Sequence, residues 1–361
     1  MTDAYVSGAS MIKVDKYYES NAIDLAIAAV SQLEDQLTTK KPDMLFLANA
    51  YSESTEEQVL LANKLARTLG YEIPAFRVES GDSSGGSAIY SAYLAVKSGI
   101  AKSVLVVGTE KLSDFPTSHL NDIISQNLDE EFSYRSGVVP QAYAAIQMKM
   151  YMKEYGVPRE YFAEWPYHMH KYASENPFAY LKFPVEKEAI LSSQIVSEPL
   201  RLFDTAARSD GASAVLITNH EIGKKISETP VKIEGVEMFT SHFDYRQLKA
   251  VQGALKPWRE FRPDFYEIHD SYSVTAAMIL EELGLERGKS LYMLDQIQVN
   301  YSGGLKARGY PGGATGVYQV AEGFMQLAGI FKGKRVRDAN RGLVISADEL
   351  GSVAITIGLS R

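Results

Sequence analysis

Along the first third of the chain, apolar residues alternate between two patterns, continuous runs and helical spacing. Residues 44–50, MLFLANA, and 103–109, SVLVVGT, are nearly continuous apolar runs, which predict buried strands. Between them, residues 56–70, EEQVLLANKLARTLG, carry apolar side chains at helical spacing and end on Gly70, a common helix stop signal. Strands that alternate with helices in this way predict an α/β fold with a mostly parallel sheet covered by helices.

One stretch inside this region combines both patterns. Residues 78–99, VESGDSSGGSAIYSAYLAVKSG, predict a short strand, a tight polar turn and a long helix. Such a turn can hold a nucleophile, because it points a side chain into a site at a helix N-terminus. Here that position carries a carboxylate, Asp82, between Gly81 and two serines.

The rhythm is interrupted and then repeated. Residues 112–200 are rich in Tyr, Met, His and Pro, contain one helical pattern at 141–156, and predict an inserted loop domain. Strand and helix patterns return afterwards. Strands are predicted at 212–219, 231–239, 264–270, 297–300, 342–347 and 352–359, helices at 245–256 and 271–284, and a Gly-rich turn with a helix at 303–329. We therefore predict an internal duplication, with residues 1–111 and 201–225 as the N-terminal half and 226–361 as the C-terminal half.

Composition narrows the classes of function. The net charge of −8 over 361 residues argues against a general nucleic-acid binder. The chain has neither a run of about 18 apolar residues nor a basic N-terminal segment followed by an apolar one, so we predict a cytoplasmic protein without membrane contact. It has no cysteine, which removes disulfides, thiolate metal sites and thiol nucleophiles. His168 and His170, two residues apart, face different sides of a helix and predict no metal site.

Four segments, in order, resemble the thiolase superfamily, especially the archaeal and sterol-carrier-protein-type thiolases. They are residues 78–112, 196–216, 267–273 (EIHDSYS) and 300–322 (NYSGGLKARGYPGGATGVYQVAE). The resemblance covers nearly the whole chain. It implies the thiolase fold, two duplicated βαβαβαββ halves in a five-layered α-β-α-β-α arrangement around an inserted loop domain. It also implies an acyl-CoA thioester as substrate or ligand, no permanently bound cofactor or metal, a homodimer and a small zinc-ribbon/OB-fold partner protein.

The family's catalytic residues are largely replaced. Asp82 stands where the family has its acyl-accepting Cys, and Tyr310 stands in place of the His of the Gly-His-Pro motif. In the His-Asp-Cys-Phe motif, His269 is kept, while Ser271 and Tyr272 replace Cys and Phe. Attack of a carboxylate on a thioester would form a mixed anhydride, a reaction that the thioester drives only weakly. Without a cysteine, ordinary thiolysis through an acyl-cysteine is therefore excluded.

Two interpretations of Asp82 remain open. The first is helix capping: an Asp before a helix accepts backbone N–H bonds, worth about 1 kcal/mol. The site would then be inactive and the chain a scaffold or subunit of a larger acyl-CoA complex. The second interpretation keeps the acyl-CoA pocket and changes the chemistry, with Asp82 as a base or orienting a water.

Aldol-type making or breaking of a carbon–carbon bond needs an enolate but no acyl-enzyme. Tyr310, or in second place Tyr272, would move the proton, and His269 with backbone N–H groups near Gly351 would hold the thioester oxygen. Ser271 and Gly312 complete the predicted substrate site. Thiolase-like retro-aldolases of steroid side-chain degradation lack the Cys and rely on tyrosines, and this sequence resembles them in that respect.

The sequence thus predicts first a cysteine-independent acyl-CoA carbon–carbon lyase or acyltransferase-type enzyme. The alternatives are an inactive thiolase-like scaffold and a binding module for another acyl ligand. Tyr310, between Gly309 and Pro311, is expected to be exposed in a turn. Lys306 and Arg308 are interpreted as solvated charges rather than contacts to CoA phosphates.

Overall fold

The computed structural model describes residues 2–361. The strands are β1 (Ala4–Met11), β2 (Met44–Ala48), β3 (Ala75–Val78), β4 (Ser103–Glu110), β5 (Ile195–Ser197), β6 (Leu200–Arg201), β7 (Gly211–Asn219), β8 (Val231–Thr240), β9 (Phe265–Ile268), β10 (Arg341–Ala347) and β11 (Val353–Ser360). The helices are α1 (Ala22–Val30), α2 (Glu34–Thr39), α3 (Ser52–Thr55), α4 (Leu61–Thr68), α5 (Ser84–Lys97), α6 (Thr117–Ser125), α7 (Pro140–Tyr155), α8 (Glu164–Ala173), α9 (Lys187–Ser192), α10 (His220–Ile226), α11 (Lys249–Leu255), α12 (Ser273–Glu282) and α13 (Thr315–Ala328).

The sheet is built from two halves that repeat one strand order. Within the described chain nine strands run in the order β3-β2-β4-β7-β1-β8-β11-β10-β9, and β5 and β6 form a separate hairpin. Each half contains parallel pairs (β2 with β3 and β4, β9 with β10) and is completed by antiparallel strands. The halves meet where β1 pairs with β8 over three residues of each strand. The predicted duplication is confirmed, and the two halves share one continuous sheet.

Two predicted elements are shorter in the structure. The helix predicted at 56–70 begins at Leu61, because Leu60 takes a left-handed conformation with φ of 55°. The strand predicted at 297–300 is reduced to an isolated bridge between Val299 and Tyr266. Asn300, with φ of 46°, turns the chain there, and its side chain hydrogen-bonds both the N–H and the C=O of Ile268. This side chain therefore makes the hydrogen bonds to the edge of β9 that the backbone of a continuing strand would have made.

Helices α5 and α13 form the central layer between the two halves of the sheet. Ile89 of α5 and Val320 of α13 lie in one apolar core with Val106 of β4 and Val344 of β10. Helices α1 and α4 cover the other face of the N-terminal half, and α11 and α12 cover that of the C-terminal half. The five predicted layers are therefore present. None of the helices within residues 2–361 is long and apolar enough to cross a membrane.

The segment between β4 and β7 packs against the C-terminal half. It carries α6 to α9 and the β5–β6 hairpin. Trp165 and Met169 of α8 share a core with Val274 and Ile279 of α12. This shared core ties the loop segment to the second half, so the domain boundaries predicted at residues 111, 200 and 225 stay predictions.

The central layer depends on glycines where α5 and α13 touch. A Cβ at Gly85 would lie 2.6 Å from the backbone N of Gly316, and a Cβ at Gly316 would lie 2.4 Å from that of Gly86. The helices can approach this closely only because no side chain stands between them.

We expect Gly316→Ala to lower the free energy of unfolding by about 1–3 kcal/mol, because the added methyl meets backbone that cannot move aside. The measurement is urea denaturation. Gly323→Ala, in the same helix, is the matched control, because its Cβ meets only the side chains of Leu359 and Val344, at 3.0 and 3.5 Å. Equal losses in the two variants would contradict a special role for the α5–α13 contact.

Candidate active site

Asp82 lies in the turn between β3 and α5 and is fully buried. Helix α5 begins after Ser83, and in the described chain no side chain caps it. The Asp82 Oδ1 instead accepts a hydrogen bond from the Tyr51 hydroxyl at 3.1 Å, and Oδ2 finds no hydrogen-bond partner among residues 2–361. The helix-capping interpretation of Asp82 is therefore wrong.

The guanidinium of Arg208 lies between two buried carboxylates. Its Nη1 is 3.8 Å from Asp82 Oδ1, and its Nη2 forms an ion pair with Glu349. The guanidinium carbon lies 4.7 Å from the centre of the Tyr310 ring, in cation–π range. Burial raises the pKa of Glu349 to about 7, with the Arg208 charge opposing the shift. Arg208 thus contacts one side chain from each of three separate loops.

His269 and Tyr310 form a neutral hydrogen-bonded pair. The His269 Nε2 lies 3.1 Å from the Tyr310 hydroxyl oxygen. Burial, reinforced by the charges of Arg208 and Arg308, lowers the pKa of His269 to about 3. Burial and the charges of Asp82 and Glu349 raise the pKa of Tyr310 well above its ordinary value. At neutral pH the imidazole is uncharged and the phenol keeps its proton.

The expectation that Tyr310 is exposed in a turn is wrong, because a neighbouring segment covers its backbone. Its N–H donates to the Ala207 carbonyl at 2.8 Å, and its carbonyl accepts from the Ser209 N–H at 3.2 Å. The same segment reaches the other motif turn, where the Ala206 N–H donates to the Ser271 carbonyl at 2.8 Å. Residues 205–209 therefore connect the two motif turns and place Arg208 between them.

A cavity of about 460 Å³ lies beside this cluster. Its polar wall contains Arg208, Ser271, Tyr272, Lys306 and Glu349. The hydroxyls of Ser271 and Tyr272 are buried. That of Ser271 finds no hydrogen-bond partner in the part of the chain that the structure describes, and that of Tyr272 lies beside Glu349 without a well-directed hydrogen bond. Burial and the charge of Glu349 raise the pKa of Tyr272 well above its ordinary value, so its phenol is protonated.

Asp82, His269 and Tyr310 do not line the cavity. Arg208 lines it and contacts Asp82 and the Tyr310 ring, so its side chain separates these residues from the cavity. Of the four predicted catalytic residues, Tyr272 therefore has the most direct access to a ligand.

The two predicted glycines have structural partners. Gly312, with φ of 39°, packs against Glu110, to which a Cβ would come within 3.0 Å. The N–H groups of Gly351 and Leu350 both donate to Asp348, at 3.1 and 3.3 Å. These two N–H groups are not free to hold a thioester oxygen. Neither glycine lines the cavity.

The interpretation of Lys306 and Arg308 as solvated charges is wrong, since both are buried. Arg308 forms an ion pair with Glu322, with 3.0 Å between Nε and Oε1. Lys306 lines the cavity. The clue in the sequence is the run GGLKARGYPGG, because two cations inside a glycine-rich run are placed where the chain packs closely. Arg208 lies in the motif segment 196–216 and Glu349 in the turn at 347–352, but neither local sequence indicates that the two side chains pair.

No group of three or more His, Asp or Glu side chains within residues 2–361 is placed to hold a metal ion. The cavity wall supplies hydroxyl, carboxyl and amine groups, which form hydrogen bonds and transfer protons.

Comparison with known proteins fits this fold. The family models "Thiolase, N-terminal domain" and "Thiolase C-terminal domain-like" match residues 5–221 and 260–361. The chain belongs to the thiolase family. As in the sequence analysis, it is a member without any cysteine.

Two archaeal acetyl-CoA acetyltransferases are similar over most of their length. That of Methanothermobacter thermautotrophicus is 30% identical, with 100% of both chains covered. That of Methanocaldococcus jannaschii is 31% identical over 94% of this chain and 92% of the relative. Human sterol carrier protein 2 is 26% identical over 98% of this chain and 71% of the relative. The predicted resemblance to archaeal and sterol-carrier-protein-type thiolases is confirmed.

Among solved structures, the one described as "Ltp2-ChsH2(DUF35) aldolase" superposes with a TM-score of 0.80 at 20% identity, covering 99% of this chain and 98% of the other. The acetyl-CoA acetyltransferase of Syntrophomonas wolfei gives 0.77 at 15% identity, with both chains fully covered. At these identities the likeness establishes the thiolase fold.

We expect Arg208→Met to lower the free energy of unfolding by about 3–5 kcal/mol at pH 8, because it leaves two buried carboxylates without their cation. The measurement is urea denaturation at pH 8 and pH 5. The folded-state pKa of Glu349, about 7, is above that of an unfolded glutamate. As pH falls, Glu349 therefore takes up a proton in the folded variant, which removes its unpaired buried charge. The loss relative to the unmutated protein should therefore be smaller at pH 5.

The double variant Arg208→Met/Glu349→Gln supplies the control, since it removes one of the two carboxylates that the single variant leaves without a cation. It should recover part of the stability at pH 8 and show a weaker dependence on pH. A loss that is the same at both pH values in the single variant would show that Arg208 acts by packing and not by charge.

Proposed function

We propose that this chain binds an acyl-CoA thioester in the cavity and makes or breaks a carbon–carbon bond by aldol chemistry, without an acyl-enzyme. The observation that carries the proposal is the Tyr272 hydroxyl. It is buried at the cavity wall beside the Glu349 carboxyl, with which it forms no well-directed hydrogen bond, so a ligand atom would complete its bonding. The family relatives act on acetyl-CoA by name, which supports a thioester as the ligand.

In the cleavage direction, the substrate is a 3-hydroxyacyl-CoA. Tyr272 takes the proton of the 3-hydroxyl as its own proton passes to Glu349, whose charge is felt at the Tyr272 phenol. The bond between carbons 2 and 3 breaks, carbon 3 leaves as a carbonyl compound, and the electron pair forms the thioester enolate. The proton then returns to carbon 2, which yields the shorter acyl-CoA.

Two features suit Glu349 and its neighbours to these steps. With a pKa of about 7, Glu349 is matched to exchanging a proton near neutral pH. The enolate oxygen carries the negative charge that develops, and the Ser271 hydroxyl and the Arg208 guanidinium, both in the cavity wall, are the donors to hold it. These donors take the role that the sequence analysis gave to His269 and to N–H groups near Gly351.

His269 and Tyr310 act behind this wall as positioning residues. Their neutral pair presents the Tyr310 ring to Arg208 and adds no charge to the cluster. Asp82 fixes the other side of the guanidinium. The proton-transfer role that the sequence analysis placed first on Tyr310 is therefore assigned to Tyr272.

The assembly is part of the proposal. The description of the Ltp2-ChsH2(DUF35) aldolase names a second component, and we extend this to a small zinc-ribbon/OB-fold partner for the present chain. A homodimer and a cytoplasmic location are carried over from the sequence analysis as predictions.

A non-catalytic subunit is the second candidate, and one observation favours it. The turn that holds the nucleophile in the family is screened from the cavity by Arg208 and its ion pair with Glu349. A thioester held in the cavity would meet no group on that turn. This candidate predicts binding of acyl-CoA thioesters without turnover.

We expect Tyr272→Phe to lower turnover of 3-hydroxyacyl-CoA thioesters by about 10²- to 10⁴-fold, the range for loss of a general acid–base group, with binding nearly unchanged. The assay follows release of acetyl-CoA from 3-hydroxybutyryl-CoA and longer or branched 3-hydroxyacyl-CoA thioesters, and calorimetry measures binding. Tyr301→Phe removes a hydroxyl from a half-buried tyrosine outside the cavity and is the control.

Binding without turnover in the unmutated protein, with and without an added partner, would favour the subunit. Turnover that survives in Tyr272→Phe but falls in Tyr310→Phe would return the catalytic role to Tyr310.

A further inference from the structure

Lys306 is a buried cation without a carboxylate partner. Only 4% of the residue is exposed, and its Nζ donates one hydrogen bond, to the Thr205 carbonyl at 2.7 Å. No carboxylate oxygen within residues 2–361 lies in ion-pair distance of Lys306 Nζ, although 19 ion pairs occur among the other described residues. An ammonium has three N–H donors, so two are left for another acceptor.

The two acids near Lys306 bind other groups, although Oδ1 of Asp204 has no hydrogen-bond partner within residues 2–361. Asp204 forms an ion pair with Arg159 and accepts from the Arg201 N–H at 2.7 Å. Asp270 accepts from the Trp165 indole at 2.9 Å and from the Leu305 N–H at 2.8 Å. The fold thus holds Lys306 in place without neutralising it directly.

Burial lowers the pKa of Lys306 to about 8, with Asp204 and Asp270 opposing the shift, so most of its ammonium is still charged at neutral pH. A buried charge without a paired counter-charge costs several kcal/mol. A lysine kept in this state at a cavity wall is suited to a ligand that brings the missing charge.

The rest of the cavity defines that ligand. Lys16, Lys306, Arg208 and Glu349 are its charged residues, and the pairing of Arg208 with Glu349 leaves an excess of positive charge. Lys16 is exposed, so Lys306 is the buried part of that excess. Much of the remaining wall is apolar, from residues such as Leu112, Phe115, Leu120, Leu181, Phe183 and Phe203. The cavity therefore fits a molecule with an apolar body and an anionic group.

We propose that Lys306 binds a carboxylate on the acyl part of the thioester, so that the natural substrates are acyl-CoA molecules with a free carboxylate. This inference rests on the proposed function to the extent that the cavity holds the acyl group. CoA phosphates are the other source of anionic oxygens. We favour the carboxylate because Lys306 is enclosed and brings a single charge, whereas phosphates carry more charge and keep their water.

The test compares binding of matched thioesters by calorimetry. Malonyl-, succinyl- and glutaryl-CoA are each paired with the monomethyl ester, which removes the acyl charge and keeps the CoA phosphates. We expect at least one free acid to bind about 10- to 100-fold more tightly than its ester, as for a charge-assisted hydrogen bond. Lys306→Met should reduce this ratio to near one, and Lys306→Arg should keep most of it. Lys332→Met, at an exposed lysine that does not line the cavity, should leave it unchanged.

Several results would overturn the inference. One is equal binding of all acids and esters by the unmutated protein, which decides the matter even if the Lys306 variants do not fold. Another is a Lys306→Met variant that weakens acids and esters equally, which would assign Lys306 to a CoA phosphate. A third is a protein that binds none of the thioesters, which overturns the proposed function as well. A clear preference for the acids without any turnover would instead reject the lyase and keep the carboxylate site.

Discussion

The site depends on one cation held between two buried carboxylates. Arg208 contacts Asp82 from the turn before α5, Glu349 from the turn after β10, and the ring of Tyr310 from the glycine-rich turn. Two carboxylates buried next to each other repel. The guanidinium between them lets these three loops meet at one place. The wall of the cavity is therefore set by electrostatics as much as by packing.

This arrangement gives a physical account of a thiolase fold without its thiol. A cysteine nucleophile needs a nearby base, whereas here the corresponding positions hold a carboxylate paired with arginine and a tyrosine paired with a neutral histidine. Neither pair leaves a nucleophile facing the cavity. The groups that do face it are the hydroxyls of Ser271 and Tyr272 and the Lys306 ammonium, which donate hydrogen bonds and exchange protons. In the function proposed above, these groups serve enolate chemistry and not acyl transfer.

The glycine-rich turn fixes the position of Lys306, the residue of the proposed carboxylate site. The turn has a π-helical stretch from Gly304 to Arg308, and its N–H groups are held by Asp270. A Cβ at Gly304 would lie 2.5 Å from an oxygen of Asp270, so the close approach requires glycine there. With its backbone fixed in this way, the lysine keeps a set position at the wall, which favours recognition of one charged group at one distance.

The sequence by itself determined the layered α/β fold, the duplication, and the absence of a thiol. Hydrophobic periodicity at strands such as 103–109 and the order of four motif segments are local or collinear properties, and they are readable from a single chain. The same reasoning placed Asp82, His269, Ser271, Tyr272 and Tyr310 near one another. Only the tertiary structure decided which of them line the cavity. Arg208 and Glu349, which pair beside it, come from loops about 140 residues apart, and nothing in their local sequence indicates the pairing. The structure also buries Tyr310 and Lys306, which the sequence analysis interpreted as exposed. The environment of a polar or charged side chain depends on contacts across the whole fold, so the local sequence does not reveal it.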